Sequence, residues 1–336
     1  MIKEITAIIA SGKDLTQGQM SAVMEEILCG EVETEEIVPF LEALNKKGET
    51  IEELVEAALV MRTHVRKVCP KERVVLDTCG TGGDRAGTFN ISTSVAFVAS
   101  ACGIIVAKHG NRAVSSSAGS ADILEKLGVD INLAPEKSQE CLEKIGIAFL
   151  FAQNLHPAMK YVAEARKKMG KRTIFNLLGP LSNPACATHQ LIGVFDQRWT
   201  LPLAEALAKL GSEHALVVHG NDGLDEITTT DSTVISEESK GKVKTYEIKP
   251  EDFGFKRVAI ADLAGGDTAL NAQIFLNILK GAKGAKRDIV LLNAAAAIYA
   301  ADKVKSIQDG IELAKNAIDS GKAFEKFELL KGFSHD

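Results

Sequence analysis

Val74-Val75-Leu76-Asp77-Thr78-Cys79-Gly80-Thr81-Gly82-Gly83-Asp84-Arg85-Ala86-Gly87-Thr88-Phe89-Asn90-Ile91-Ser92-Thr93 is the stretch on which the fold turns. A short β-branched run, a loop with four glycines in eight residues, and a helix opening at Asn90 follow one another directly. The glycines let the backbone take positive φ and approach a ligand closely. Asn90, Ser92 and Thr93 start a helix whose free N–H groups and dipole favour an anion. Together these predict a phosphate pocket at the end of a buried strand. Two common phosphate loops do not fit. A Walker loop ends in Gly-Lys-Ser/Thr and has a lysine that is missing here; a dinucleotide fingerprint needs a third glycine where Arg85 stands. A flexible surface loop with a routine N-cap is the plain alternative, but such a loop rarely follows a buried strand with polar groups on both sides.

Downstream the same texture repeats. Ile104-Ile105-Val106, Ala148-Phe149-Leu150-Phe151, Leu191-Ile192-Gly193-Val194 and Ala215-Leu216-Val217-Val218 are further buried-type runs separated by helical stretches. Strands alternating with helices predict a mainly parallel central sheet flanked by helices, with ligands at the carboxyl ends of the strands. Val234 to Ile248 alternates around a Lys-Gly-Lys turn and predicts a hairpin; from Thr268 onward the pattern predicts three helices. Upstream, the first ~68 residues read as helices only. Thr16-x-x-Gln19 and Thr50-x-x-Glu53 are capping boxes, and Ile51, Leu54, Val55, Ala58 and Leu59 give one apolar face. The fold class expected is α/β: a small all-helical N-terminal domain and a large domain around the sheet.

After the second strand comes Lys108-His109-Gly110-Asn111-Arg112-Ala113-Val114-Ser115-Ser116-Ser117-Ala118-Gly119-Ser120. Two cations, an amide and a row of hydroxyls on a flexible backbone supply the charge and the donors that a diphosphate needs. A solvated Ser-rich turn would look similar. His109 is open between a general base, a structural role and contact with an amine. Asp222-Gly223-Leu224-Asp225-Glu226 follows a later strand. Adjacent acids on a regular strand would face opposite ways, so Asp225 and Glu226 could act together only on an irregular loop after Gly220, and a plain surface acidic turn is equally open.

Bulk composition narrows the partners. The 336 residues are 46% hydrophobic and 25% charged, ordinary for a globular protein. A net charge of −6 argues against a nucleic-acid partner, which phosphate contacts by Lys and Arg would dominate. The six cysteines form no Cys-x-x-Cys pair, so reduced thiols in a cytoplasm are expected. Ile5 to Ala10 is too short for a signal segment, and Ile289 to Ala300 falls short of the ~20 residues of a membrane span. A soluble protein with no membrane partner is expected.

Asp77-x-x-Gly80-Thr81-Gly82-Gly83-Asp84, Gly87-Thr88-Phe89-Asn90-Ile91-Ser92-Thr93 and Lys108-His109-Gly110-Asn111-Arg112 resemble the anthranilate phosphoribosyltransferase family. Arg166-Lys167-Lys168-Met169-Gly170, Arg172 to Asn176, Gly179-Pro180-Leu181 and Asp222 to Glu226 agree, so the resemblance covers nearly the whole chain. It implies a nucleoside phosphorylase-like fold. The helical domain would be residues 1–68, joined by about 165–185, with 70–336 forming the domain that binds phosphoribosyl pyrophosphate (PRPP). It implies PRPP contacts at Gly80, Gly82, Gly83, Asp84, Thr88, Asn90, Ile91, Ser92, Thr93, Lys108, His109, Gly110, Asn111, Arg112, Ala113, Val114, Ser115, Ser116 and Ser120. Lys108 and Asp84 would be the catalytic residues. Gly80, Asn111 and Arg166 would hold anthranilate, with Arg166 on its carboxylate; from sequence alone Arg166 is one charge on an amphipathic helix. Ser92, Asp225 and Glu226 would bind Mg2+, a cation that prefers oxygen donors and bridges phosphates; the adjacent acids would then either sit on an irregular loop after Gly220 or serve two separate ions. A homodimer through the helical domain is implied as well. Cys79 and Arg85 depart from the small residues expected beside the loop, and Cys79 reads as an inert thiol.

The expected reaction moves the 5-phosphoribosyl group of PRPP to the amine of anthranilate, a step in tryptophan biosynthesis. Two rivals share the architecture: a pyrimidine nucleoside phosphorylase-like enzyme and a non-enzymatic nucleic-acid-binding relative. The acidic pair favours a pyrophosphate substrate over the first, and the acidic balance disfavours the second.

Overall fold

The computed structural model describes residues 1–83, 86–113 and 118–335. Helices α1 (Ile2–Ala10), α2 (Gln17–Cys29), α3 (Thr34–Lys47) and α4 (Ile51–Thr63) come first. Both predicted capping boxes form: Thr16 and Thr50 accept from the N–H of Gln19 and Glu53, whose side chains accept from the cap N–H in return. Glu53 is buried; it also accepts from Leu15 N at 2.9 Å and pairs with Lys47 at 2.9 Å, tying α4 to the start of α2.

Alternation then begins: β1 (Val75–Gly80), α5 (Ile91–Ala101), β2 (Ile105–Gly110), α6 (Ser120–Lys126), α7 (Pro135–Ile145) and β3 (Ile147–Phe151). Helices α8 (Ala152–Leu155), α9 (Lys160–Met169) and α10 (Ile174–Leu181) intervene before β4 (His189–Gly193), α11 (Thr200–Lys209) and β5 (His214–Gly220). The predicted hairpin is β6 (Thr233–Ser239) and β7 (Lys242–Ile248). Helices α12 (Thr268–Leu279), α13 (Ala285–Ala300), α14 (Ile307–Asp319) and α15 (Lys322–Phe333) end the chain, four where the pattern predicted three. Gly321, at φ +79°, turns the chain between α14 and α15 in too few residues to register as a break in the apolar spacing. The alanine face of α13 lets α14 pack closely: a Cβ on Gly310 of α14 would lie 2.6 Å from the Ala295 carbonyl oxygen.

The sheet order is β3-β2-β1-β4-β5-β6-β7, parallel as far as β5 and antiparallel beyond it. Chain order reverses between β1 and β4, so the crevice at their carboxyl ends is the switch point where such sheets bind ligands. Pairing of Gly80 with Gly193 sets two glycines side by side at that end. The sheet faces divide two apolar cores by strict alternation. Leu191 and Leu216 join α5 and α13 on one face, while Ile192, Ala215 and Val217 join α11 and the N-terminal helices on the other. Val162, Ala165, Ile174, Phe175 and Leu178 of α9 and α10 belong to this second core, alongside Phe40 and Leu44 of α3.

Candidate active site

The site begins where the sheet comes apart. β2 stays paired with β3 to its last residue, but its pairing with β1 stops at Leu76 opposite Val106. Beyond that point side chains replace the ladder. The Asp77 carboxylate accepts from His109 N at 3.0 Å, and Asn183 donates to Asp77 at 2.7 Å and to the Ala107 carbonyl at 2.8 Å. Buried backbone groups are thereby satisfied while the strands separate. Lys108, 2% exposed, projects into the opening, where its ammonium donates to Thr78 O at 2.5 Å and to Ser92 Oγ at 3.2 Å. Burial pulls the Lys108 ammonium below its usual range, opposed by Asp77, Cys79 and Glu226; burial likewise pushes the Asp77 carboxyl up, opposed by Lys108. Each opposes the shift of the other in a place where either charge alone would be costly.

The glycine loop closes over this point. Gly82, Gly83 and Gly87 take φ of +65°, +83° and +68°, as a loop built for close approach requires. Thr81 fastens it to β4, donating from N to Gly193 O at 2.8 Å and accepting from Phe195 N at 3.0 Å. Arg172, between α9 and α10, stacks on Phe195 with its guanidinium carbon 3.9 Å from the ring centroid and donates to Gly83 O. Asn90 caps α5, accepting from Thr93 N at 3.0 Å, and its amide donates to Ser120 Oγ at 3.3 Å, joining the two predicted loops. Ile91 anchors the first turn in the core. Thr93 is fully buried and its hydroxyl has no partner among the described residues, the kind of orphan a bound group or water would satisfy. Thr88 is half-buried and bridges to Ala264. Burial, with the Asp77 charge beside it, pushes the Cys79 thiol well above its ordinary value, consistent with an inert thiol.

Asp225 and Glu226 lie in the connection between β5 and β6, the irregular loop that was one of the two alternatives for adjacent acids. The loop is stiffened from within and from behind. Asp222 accepts from Thr228 Oγ1 at 2.6 Å, and Asn293 of α13 exchanges bonds with Ile227 N and O at 2.9 and 2.7 Å. Gly82 N donates to Asp225 Oδ2 at 3.1 Å, so the acid pair meets the glycine loop directly. Two glycines make room for it. A Cβ on Gly80 would lie 3.0 Å from Asp225 Oδ2, and one on Gly193 only 1.6 Å from the Asp225 carbonyl oxygen. The Asp225 and Glu226 carboxylates and the Ser92 hydroxyl would offer oxygen donors only, which suits Mg2+ and would not suit a thiophilic ion.

The other predicted residues sit around this centre. His109 Nε2 lies 3.1 Å from His156 Nε2, and burial holds both rings down, His109 well below its usual range and His156 at about 4. Both are therefore neutral near pH 7, which suits a positioning pair better than a charged contact. Asn111 is exposed at the mouth, its Oδ1 accepting from Arg112 N at 2.8 Å. The Arg112 guanidinium is engaged with Glu125 at 2.7 and 2.9 Å and with Asp122 at 3.1 Å, so a phosphate would compete with two carboxylates for it. Gly110 packs so tightly that a Cβ would lie 2.7 Å from the Phe149 ring; Ala113 N donates to Asp122 at 2.9 Å. Arg166 on α9 is half-buried over Phe175, burial lowering its guanidinium. No carboxylate pairs with it among the described residues. Asp84, Val114, Ser115 and Ser116 lie outside the described residues.

Sequence reasoning missed Gly193, His156, Asn183 and Arg172. His156 could have been found, since it follows β3 as the other motifs follow their strands. Arg172 stands in a stretch that carries the resemblance but was given no role; Gly193 and Asn183 act across strands, and nothing local marks them.

The comparisons with known proteins agree with this geometry. A model described as "Glycosyl transferase family, a/b domain" matches residues 72–324, and one described as "Glycosyl transferase family, helical bundle domain" matches 3–65. The chain is 52% identical to an anthranilate phosphoribosyltransferase of Thermoanaerobacter sp. (strain X514), over 98% of each chain. The crystal structure of the enzyme of that name from Thermus thermophilus superposes with a TM-score of 0.93 at 42% identity, covering 98% of this chain and 99% of that one. The Saccharomyces cerevisiae enzyme of the same name, solved in complex with PRPP and Mg, superposes with a TM-score of 0.91 at 27% identity, covering 99% of this chain and 98% of that one. Matched along its whole length by these proteins and by family models on both its parts, the chain belongs to the anthranilate phosphoribosyltransferase family.

Proposed function

We propose that the chain transfers the 5-phosphoribosyl group of PRPP to the amine of anthranilate, giving N-(5-phosphoribosyl)anthranilate and pyrophosphate in tryptophan biosynthesis. The observation that supports this reading is that Gly82 N bonds Asp225 Oδ2 while the Lys108 ammonium bonds Thr78 O and Ser92 Oγ, both pairs lying beside the carboxyl end of β1. Family membership and the names of the relatives support the substrates.

In this reaction the C1–O bond to pyrophosphate breaks as the amine nitrogen bonds to C1 of the ribose. An aromatic amine is neutral near pH 7, so no base is needed before attack, and the nitrogen sheds its proton once the new bond exists. The costly event is departure of a multiply charged leaving group from an oxocarbenium-like carbon. Lys108 supplies a fixed positive charge inside the crevice, and the α5 N-terminus and loop amides supply donors that need no reorganisation. Ser92, Asp225 and Glu226 would hold Mg2+, which when bound neutralises charge on the pyrophosphate. Arg166, with no carboxylate partner among the described residues, would take that of anthranilate, and Asn111 would orient the ring so that the two reactants lie in line. Asp84 is assigned to the diphosphate by resemblance alone.

The domain limits proposed are 1–68 with about 165–185, and 70–336; the shared core of α9, α10 and the first helices supports them. A cytoplasmic homodimer through the helical domain completes the reading, and sedimentation would measure it. No helix among the described residues is long and apolar enough to cross a membrane.

The test is loss of anthranilate fluorescence with PRPP and Mg2+, beside a parallel assay with thymidine and phosphate. Turnover in the first and none in the second is expected; the reverse would overturn the assignment.

A further inference from the structure

Away from the crevice, the helical part carries a second group of chemistry-bearing side chains. Glu25 and Cys29 stand four residues apart on α2 and so share one face. His64, the residue that caps α4, reaches across to them. Its Nε2 lies 3.0 Å from Glu25 Oε1, Cys29 Sγ lies 3.5 Å from the same oxygen, and the donor atoms of all three lie within 4.8 Å of one another. For a tetrahedral zinc ion with bonds of about 2.0–2.3 Å, neighbouring donors are separated by roughly 3.3–3.6 Å. The two distances to Glu25 are near that range and the donor atoms of Cys29 and His64 stand within 4.8 Å of each other, while thiolate, imidazole and carboxylate are donor types such an ion selects.

Surface Glu–His pairs are common, and that contact alone would need no thiol. The groove beside the cluster adds a second observation. About 270 Å³ lies open between Cys29 and His64 on one side and Pro157, Ala158, Lys160 and Tyr161 on the other. It leaves room for a water to complete the coordination. Glu25 and Cys29 are exposed and His64 half-buried, so an ion could enter without unfolding either helix. None of the three residues belongs to the crevice at the strand ends.

We propose that Glu25, Cys29 and His64 form a binding site for a thiophilic divalent cation of the zinc class, with an open fourth position facing this groove. The site differs in kind from the all-oxygen set at Asp225 and Glu226, so excess Mg2+ should not compete for it.

The full chain, stripped with a chelator, is titrated with Zn2+ by calorimetry in excess Mg2+, and with Co2+ by absorption. One Zn2+ per chain and a thiolate-to-cobalt charge-transfer band are expected. Cys29→Ser and His64→Ala should each remove the band and weaken Zn2+ binding more than about 100-fold, beyond the roughly 10–100-fold typical when only a ligand's supporting group is lost. Cys69→Ser and Cys186→Ser, at exposed thiols elsewhere, should leave both signals intact. Circular dichroism checks that each variant folds. A wild-type chain without the cobalt–thiolate band, or Cys29→Ser binding Zn2+ as tightly as wild type, would overturn the site.

Discussion

Replacing Gly193 with alanine should disable the site while leaving every proposed ligand-binding side chain chemically unchanged. The added Cβ would sit 1.6 Å from the Asp225 carbonyl oxygen and 2.5 Å from its carbonyl carbon. Ordinary carbon–oxygen contact is about 3.4 Å, so strand or loop must give by roughly 1.8 Å. β4 is paired on both sides, to β1 and β5, whereas Asp225 belongs to a connection outside any strand. The loop should therefore move, carrying the acid pair off the glycine loop and breaking the bond from Gly82 N. A displacement above ~1 Å at a positioned group costs about 100-fold in rate, or about 2.7 kcal/mol of barrier. Overpacking of this kind costs about 1–3 kcal/mol in stability, which a chain of this size survives. Steady-state turnover against Mg2+ concentration, with the thermal midpoint as a folding control, measures both effects. The expected outcome is a folded variant with turnover down about 100-fold and half-saturation moved to higher Mg2+. A variant with turnover within about threefold of wild type and the same metal response would show that the Asp225 loop does not position the metal.

Arg166→Ala should raise the KM for anthranilate while largely sparing kcat, as expected for loss of a contact made equally in ground and transition states; a fall in kcat at unchanged KM contradicts that role. Asp225→Asn with Glu226→Gln should weaken the dependence of rate on Mg2+, and an unaltered metal titration would show that other groups hold the ion. Stability in acid should depend on Glu237, which burial would push up but which His214, Tyr246 and Tyr299 together hold at about 2, below its ordinary 4.5. A depressed carboxylate stabilises the fold above its unfolded value, so on the order of 3 kcal/mol is present at pH 5 and lost as pH falls from about 4.5 towards 2. Glu237→Gln should flatten that decline in denaturant titrations at pH 5 and pH 3; an equally steep decline in the variant removes Glu237 as its source.

What the sequence discloses and what it hides differ in range. The capping boxes at Thr16 and Thr50, the positive-φ glycines and the Asn90 cap are set by residues within a few positions of one another, and each is found as read. Period-two geometry forbids a regular strand from aiming both carboxylates of the acid pair one way, and the pair is found in the connection between β5 and β6. The opening itself was not legible. The ladder between β1 and β2 lapses after Leu76, and there Asn183, over 100 residues away, serves the Ala107 carbonyl and the Asp77 carboxylate. The approach of Gly193 to Asp225 depends likewise on β4 lying beside β1, a matter of strand order that no local pattern carries. Arg172 shows the same limit from the helical side, since its reach to Gly83 joins two cores that the chain visits at separate times. A side-chain amide placed where two parallel strands diverge is thus a structural requirement of the site. Asn183 should accordingly tolerate replacement no better than the loop glycines, although nothing in its own neighbourhood of sequence says so.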